Sequence, residues 1–294
     1  MEKEKLITRS SQSKQSGSSS KWCKTSLRDG KLSTYCPRCE RQLVAIQFSK
    51  YYDYWVKCEK CDRSYIVPYE IPRSTKEVQL HTHDIPFALC ERLSLLNSIA
   101  VDFETGCTET THGTPCSESC ALDHEKGQLQ QVQFSTPEGE VHIVRMPSKD
   151  SEYLKQVLMM VPIKIVHYSN FEMKWSLGQL KLNELSGMWL CTRIGHTLAV
   201  PGANHSLGNI VMAELGHEVP KEDKVYLNGW NQPKLNERQI EYSVNDVVYL
   251  HALANRIKAH LGSEVTGWYK MCKLQQTIVT IEQDGFSRDA LNRV

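Results

Sequence analysis

Two Cys-x-x-Cys motifs near the start of the chain restrict its fold more than any other feature of the sequence. Cys36-Pro-Arg-Cys39 and Cys58-Glu-Lys-Cys61 are separated by 18 residues. Each motif can place two thiolates on one ion, and two motifs complete the tetrahedral four-cysteine set that zinc prefers. A unit of this size cannot fold on apolar burial alone, so the metal would supply the folding energy. We therefore predict a structural Zn2+ in a zinc ribbon over residues 31–70, with a redox-active cysteine pair as the alternative.

The role of this ribbon stays open at the level of sequence. It is either a structural or protein-docking module, or a grip for nucleic acid that uses aromatic side chains for stacking and lysines for phosphates. The aromatic residues between the two motifs are Phe48, Tyr51, Tyr52, Tyr54 and Trp55, and the lysines are Lys50, Lys57 and Lys60.

A second group of potential metal ligands follows residue 106. Its members are Cys107, Cys116, Cys120 and His124. Their spacing permits a second zinc site. Free thiols in an insertion are the alternative interpretation.

The segments that flank the ribbon have a different composition. Residues 1–30 are rich in Ser, Lys and Gln and nearly free of apolar residues, so they cannot offset their ordering entropy. We predict a disordered tail here; a transit peptide is the alternative, weakened by Glu2 and Glu4. Residues 71–97 read as a linker with a helical piece around 88–96. Because no secretory signal and no apolar run of about 18 residues is visible, we expect an intracellular, cytoplasmic protein without a membrane partner.

From residue 98 the pattern alternates between strands and helices, which predicts an α/β fold. Strands are expected over residues 99–103, 130–134, 141–146 and 163–166, and helices over 151–160, near 171–182, near 206–215 and from 236 onward. The last helix opens with a capping-box-like pair, Asn236 and Gln239. Its apolar residues Ile240, Val244 and Val247 recur at helical spacing. We predict a mixed sheet with flanking helices.

Acidic residues that could bind a metal occur at three places along the chain: at the end of a strand, on a middle helix and on a late helix. Asp102-Phe-Glu104 ends an apolar strand, whose period of two puts both carboxylates on one face and Phe103 in the core. Tyr242 and Asp246 are four residues apart on the late helix and share a face. Glu172 lies at the start of the middle helix. Hard oxygen donors suit Mg2+ or Mn2+, although each acidic residue taken singly is equally consistent with a surface charge.

Three segments carry a resemblance to a known family. Ile99-Ala-Val-Asp-Phe-Glu-Thr-Gly106 resembles the first motif of the DEDD (ribonuclease H-like) superfamily of 3′–5′ exonucleases, and Val166-His-Tyr-Ser-Asn-Phe-Glu172 resembles the second. Ile240-Glu-Tyr-Ser-Val-Asn-Asp-Val-Val-Tyr-Leu250 resembles the third, in the DEDDy version with Tyr four positions before the Asp. Residues 206–216, followed by Trp230, are similar to the corresponding stretch in proofreading domains of family-A DNA polymerases and in ribonuclease D.

The chain departs from the family pattern in two respects. The second motif has Glu172 where the family usually has Asp, and Tyr168 where it usually has Asn directly after the His. A cysteine-bearing insertion also follows Glu104.

The resemblance implies a ribonuclease H-like fold over residues 98–262 and a two-metal site. Two Mg2+ or Mn2+ ions would be held by Asp102, Glu104, Glu172 and Asp246. Tyr242 would orient the attacking water, and Thr105 would touch the terminal nucleotide through its backbone. The implied reaction removes nucleoside 5′-monophosphates from the 3′ end of a single strand.

Residues 274–291 resemble the helix and turn at the start of the polymerase part of family-A enzymes. We therefore assign residues 263–294 to a separate C-terminal helical segment. We expect a DNA 3′–5′ exonuclease that proofreads for a separate polymerase subunit, or a fragment of such an enzyme. A ribonuclease D-like RNA exonuclease is one alternative. A non-catalytic replisome adaptor with a nuclease fold is another, supported only by Glu172. The net charge of +1 argues against a bulk electrostatic binder of nucleic acid.

Overall fold

The computed structural model describes residues 21–28, 31–43, 46–48, 54–68, 71, 78–106, 121–220, 230, 232 and 234–284. The chain divides into two compact units, Met1–Pro68 and Tyr69–Val294. Residues 1–20, which hold most of the predicted tail, lie outside the described residues. No helix in the described ranges combines the length and the apolar character that a membrane-spanning helix needs.

The described part of the first unit contains two small antiparallel sheets. One consists of β1 (Lys24–Arg28), β2 (Lys31–Tyr35) and β3 (Gln42–Leu43), and the other of β4 (Ile46–Phe48), β5 (Tyr54–Cys58) and β6 (Arg63–Ile66). Their small core contains Cys36, Leu43, Val56, Cys58 and Tyr65. Residues 24–28 are predicted as part of the tail from the sequence, whereas they form strand β1. The reason is that β1 pairs along its whole length with β2, so backbone hydrogen bonds order a segment of low apolar content.

A six-stranded mixed sheet forms the centre of the second unit. Its order is β12–β11–β8–β9–β10–β7. The strands are β7 (Gln79–Thr82), β8 (Ser98–Gly106), β9 (Gln128–Ser135), β10 (Val141–Arg145), β11 (Ile163–Val166) and β12 (Met188–Cys191). Strands β8, β9 and β10 are antiparallel, and the other neighbours pair in parallel. The predicted α/β class with a mixed sheet is confirmed.

Strand β7 lies in a segment that is predicted as a linker from the sequence. Residues 79–82 pair in parallel with β10 and form one edge of the sheet. The segment Gln79-Leu-His-Thr82 has a single apolar residue, Leu80, which is 53% exposed, so it carries almost no hydrophobic strand signal. Its order depends on pairing with residues more than 60 positions away.

Helices cover both faces of this sheet. They are α1 (Phe87–Ser94), α2 (Glu152–Met160), α3 (Ser169–Gly178), α4 (Thr192–Ala199), α5 (Leu207–Ile210), α6 (Glu237–Val248), α7 (Leu250–Leu261) and α8 (Val265–Asp284), and a π-helical turn (Val211–Leu215) continues α5. One buried core joins α1, α2 and α3 to Val101 and Phe103 of β8. A second core joins α6, α7 and α8 to Ala100. The side chains of β8 therefore alternate between two cores.

Helix α6 begins with the predicted capping box. The Asn236 side chain accepts a hydrogen bond from the Gln239 N–H at 2.9 Å, and the Gln239 side chain accepts one from the Asn236 N–H at 3.0 Å. Such reciprocal caps satisfy two backbone donors that a helix start leaves unpaired. The start of the helix that carries Tyr242 and Asp246 is thereby fixed.

The buried face of α6 is more polar than its sequence pattern predicts. Val247 is fully buried, but Ile240 and Val244 are only half-buried, whereas Ser243 and Gln239 are buried. Ser243 Oγ accepts a hydrogen bond from a glutamine of β9 and donates one to the Gln239 carbonyl at 2.9 Å. Hydrogen bonds, in addition to apolar packing, therefore attach this helix to the sheet.

Candidate active site

Three carboxylates converge where α6 crosses β8. Since Val101 and Phe103 point into one core, Asp102 and Glu104 point to the opposite face of the sheet. Asp246 of α6 meets them there, and one carboxylate oxygen from each of the three residues lies within 4.8 Å of the other two. Acidic groups more than 140 positions apart in the chain thus share one location.

Glu172 joins these three groups in one cleft. The cleft has a volume of about 260 Å³. Its lining comprises Asp102, Phe103, Glu104, His167, Tyr168, Phe171, Glu172, Leu207, Tyr242 and Asp246. Glu172 is 2% exposed, and its Oε2 is buried with no hydrogen-bond partner among the residues that the structure describes. A buried carboxylate oxygen without a partner is costly unless a cation binds it.

The pKa of each of the four carboxylates is raised. Burial is the largest cause at every one of them, and it raises the pKa of Asp102 to about 7. Burial followed by the charge of Asp102 holds the pKa of Glu104, Glu172 and Asp246 well above the usual range. Such a cluster resists full ionisation by itself, and a cation between the oxygens would reverse the shift. The donor set therefore fits a divalent metal ion.

Tyr242 lies one helical turn before Asp246 and lines the same cleft. Burial first, and then the charge of Asp246, raise the pKa of the Tyr242 phenol. The hydroxyl therefore keeps its proton at neutral pH. The structure thus places a neutral phenol beside the acidic cluster.

Two buried glutamines of β9 hold the carboxylates of β8. The strand register sets Gln133 opposite Asp102 and Gln131 opposite Glu104. Gln133 Nε2 donates to Asp102 Oδ2 at 2.5 Å and to Glu104 Oε1 at 3.2 Å. Gln131 Nε2 donates in turn to Gln133 Oε1 at 2.8 Å. The Gln133 amide therefore bridges two prospective metal ligands.

Arg145 of β10 determines which way these amides point. A guanidinium offers only donors, and its Nη1 lies 3.4 Å from Gln131 Oε1. The Gln131 NH2 group is thereby turned toward Gln133 Oε1 and Ser243 Oγ. Gln133 is left with one satisfied orientation, in which its NH2 group faces the carboxylates. We call this set of four residues the amide relay: Arg145, Gln131, Gln133 and Ser243.

The sequence does not predict the amide relay, because polar strand residues usually face solvent. Gln131, Gln133 and Ser135 alternate along β9 and are all fully buried. The available sequence signal is the alternation of polar and apolar residues along β9, the next strand after the one that carries the acidic residues. Its meaning depends on the register between β8 and β9.

Thr105 is not part of the cleft lining. The strand register is irregular between Glu104 and Thr105, and Thr105 Oγ1 donates to the Ala121 carbonyl at 2.6 Å. β-bulges of this kind occur next to active sites and re-aim the chain. The predicted backbone contact between Thr105 and a terminal nucleotide stays a prediction.

The four cysteines of the two Cys-x-x-Cys motifs come together as the sequence pattern predicts. The Sγ atoms of Cys36 and Cys61 are 3.8 Å apart, those of Cys39 and Cys58 are 3.6 Å apart, and all four lie within 4.8 Å of one another. Tetrahedral zinc with Zn–S bonds near 2.3 Å requires S···S distances of about 3.8 Å. Burial alone would raise the pKa of Cys36, but hydrogen bonds with Tyr65 and with backbone groups lower it to about 6.

The second candidate zinc site falls mostly outside the described residues. Cys107, Cys116 and Cys120 lie there. The fourth candidate ligand, His124, is described, and its Nε2 lies 3.1 Å from Gln283 Oε1. This site stays a prediction.

A family model described as 3′–5′ exonuclease matches residues 78–262, which is more than half of the chain. The matched range begins just before β7 and ends just after α7. It therefore contains the whole six-stranded sheet and all the carboxylates of the cleft. No curated protein sequence gives a significant match.

Solved structures of nucleases share the fold. Brucella melitensis NrnC matches with a TM-score of 0.59 and 20% identity, over 72% of this chain and 95% of that chain. Escherichia coli RNase D matches with a TM-score of 0.55 and 22% identity, over 69% of this chain and 51% of that chain. The catalytic core of RRP6 from Trypanosoma brucei matches with a TM-score of 0.54 and 19% identity, over 72% of this chain and 54% of that chain. One NrnC structure contains bound Mg2+ and another is bound to pGG.

Proposed function

The chain belongs to the 3′–5′ exonuclease family whose model it matches, and on that premise we propose that it shortens single-stranded nucleic acid from the 3′ end and releases nucleoside 5′-monophosphates. The observation that carries this proposal is the convergence of Asp102, Glu104 and Asp246 within 4.8 Å, with Glu172 in the same cleft. Acidic oxygens in this arrangement suit hard divalent cations.

Asp102, Glu104, Glu172 and Asp246 would hold two ions, Mg2+ or Mn2+. Two such ions, when bound, stabilise the attacking and leaving oxygens of an in-line displacement at phosphorus. The unpartnered Oε2 of Glu172 supports its inclusion, even though the family usually has the shorter Asp there. The longer side chain still reaches the cleft.

The remaining groups of the site would position the reactants. The protonated Tyr242 hydroxyl, which lines the same cleft as Asp246, is suited to orient a water molecule for attack on the phosphate. Gln133 keeps the Asp102 and Glu104 carboxylates turned toward the cleft. The backbone of Thr105 would contact the terminal nucleotide. A non-catalytic adaptor has no support, because Glu172 joins the other three carboxylates.

DNA is the first candidate substrate, with proofreading for a separate polymerase subunit as the role. Its support is the resemblance of residues 274–291 to the start of a family-A polymerase region, together with the long helix α8 that carries their first part. RNA is the second candidate. Similar structures favour it, since Escherichia coli RNase D is described as an exoribonuclease involved in structured RNA processing and NrnC is bound to pGG.

For the four-cysteine cluster we propose Zn2+. The sulfur–sulfur distances match tetrahedral thiolate coordination, and Tyr65 is 2% exposed and lies 3.6 Å from Cys36 Sγ, where it can steady the ligand. The zinc ribbon would then be a folded module in its own right. Its contribution is either protein docking or a grip on nucleic acid.

The proposed reaction is tested with single-stranded DNA and RNA oligomers that carry a 5′ label. With Mg2+ or Mn2+ we expect stepwise shortening from the 3′ end and mononucleotide products, and with a chelator no shortening. Faster loss of DNA supports the first candidate substrate, and faster loss of RNA supports the second. Intact oligomers of both kinds in the presence of metal would contradict the proposal.

Replacing Gln133 with Leu is expected to weaken the affinity of the site for Mg2+ by roughly 10- to 100-fold, the usual effect of removing a group that orients metal ligands. The measurements are the Mg2+ concentration at half-maximal activity and the Mg2+-dependent rise in melting temperature. Gln130→Leu is the matched control, because Gln130 is also buried on β9 but bonds to Gln128. Equal Mg2+ dependence of Gln133→Leu and wild type would show that the amide relay does not serve the metal site.

A further inference from the structure

Tyr168 is an aromatic residue at a position where the fold does not require one. It is the N-cap residue of α3 and makes no side-chain capping bond. Asn, which the family usually carries here, is among the residues that cap helices well. Tyr168 is also 50% exposed, so apolar burial does not account for it. Neither capping nor core packing explains the exchange of Asn for Tyr.

The ring is held from one side. The Cζ atom of Arg193, in the first turn of α4, lies 5.0 Å from the centroid of the Tyr168 ring. A guanidinium over an aromatic face is an attractive cation–π contact. Because Tyr168 stays half exposed in spite of this contact, the rest of its ring surface is available to a ligand. The result is a flat, supported platform.

This platform borders the catalytic cleft. Tyr168 lines the cleft together with Phe171 and Leu207. Glu172, in the first turn of α3, lines the same cleft. A planar group stacked on Tyr168 would therefore lie at the cleft that contains the carboxylate proposed to hold metal at the scissile phosphate.

We propose that Tyr168, backed by Arg193, is a stacking subsite for a nucleobase at or next to the 3′ end of the bound strand. The inference rests on the proposed exonuclease function and adds a substrate-binding residue to it. Stacking uses the face that all bases share, so the subsite accepts any base on DNA or RNA. The exposed Arg193 guanidinium, which has only donors, is also suited to contact a backbone phosphate.

The first test compares substitutions at Tyr168. Tyr168→Ala is expected to raise KM and the dissociation constant for a single-stranded oligomer by about tenfold or more, since stacking on an aromatic side chain contributes strongly to each base bound. Turnover should change much less, because stacking binds substrate and transition state alike. Tyr168→Phe should behave like wild type. Binding is followed by fluorescence anisotropy in the presence of chelator, so that no shortening occurs.

Tyr153→Ala is the matched control. Tyr153 is 38% exposed and its ring also contacts an aromatic neighbour, Phe87, at 5.6 Å, but it lies on α2 and does not line the cleft. Its removal should leave KM unchanged. Equal effects of Tyr153→Ala and Tyr168→Ala would overturn the proposal.

The second test removes the base instead of the ring. Oligomers that lack the base at the last or next-to-last nucleotide should bind more weakly to wild type, and at one of these positions Tyr168→Ala should bring no further loss. Additive losses at both positions, or a wild-type KM for Tyr168→Ala on normal oligomers, would contradict the stacking subsite. An inactive wild-type protein would instead contradict the exonuclease proposal, and the chelator binding assay would still report on the subsite.

Discussion

Asp246→Ala is expected to slow shortening of a single-stranded oligomer by about 10³-fold or more. Loss of a metal ligand removes several kcal/mol of transition-state stabilisation, and each 1.4 kcal/mol corresponds to a tenfold change in rate. The measurement is single-turnover cleavage at saturating Mg2+. A variant that keeps a tenth of the wild-type rate would exclude Asp246 as a metal ligand.

The same substitution separates loss of chemistry from loss of fold. Burial and the charge of Asp102 raise the pKa of Asp246, so the metal-free protein gains nothing from a carboxylate at this position. We expect Asp246→Ala to melt at or above the wild-type temperature without metal, and to lose most of the rise that Mg2+ brings. Glu241→Gln is the control, since Glu241 is exposed on the same helix. It should alter neither activity nor melting.

Cys36→Ser is expected to abolish zinc binding at the four-cysteine cluster and to unfold the first unit. Zinc contributes about 10–16 kcal/mol to the folding of small four-ligand modules, more than their few apolar side chains supply. Zinc content by elemental analysis and protease sensitivity of residues 21–68 report the two effects. The same zinc content in Cys36→Ser as in wild type would rule out the four-cysteine site.

Cys23→Ala is the control for this experiment. Cys23 is 4% exposed and lies in the same small core, and burial raises the pKa of its thiol to about 11. It is not one of the four clustered cysteines, so zinc should remain. The activity of Cys36→Ser also discriminates between the two roles of the ribbon: a raised KM indicates a grip on nucleic acid, and an unchanged KM indicates a structural or protein-docking module.

Features that depend on near neighbours in the chain could be predicted from the sequence. The alternation of side chains along one strand predicts Asp102 and Glu104 on one face and Phe103 in the core, and the structure places them there. The capping box of Asn236 and Gln239 is a contact over three residues and is confirmed. The spacing of the Cys-x-x-Cys motifs indicates a shared ion, and the four sulfurs do converge.

Features that depend on pairing between distant segments could not be predicted in the same way. Strand β7 is stabilised by pairing with β10, more than 60 positions away, and carries little strand signal of its own. The contact of Gln133 with two carboxylates follows from the register of β9 against β8. The hydrogen bond between Ser243 of α6 and Gln131 of β9 joins residues 112 positions apart. Each of these needs the assembled sheet.

The raised pKa of the four carboxylates would make metal binding an exchange reaction. Protons and divalent cations would compete for the same oxygens, so an ion that enters the cleft would release protons to the solvent. With the pKa of Asp102 at about 7, we expect the apparent affinity for Mg2+ to rise as the pH increases through neutrality. A change in the acidity of the medium would then alter the fraction of metal-bound protein, even when the concentration of Mg2+ is constant.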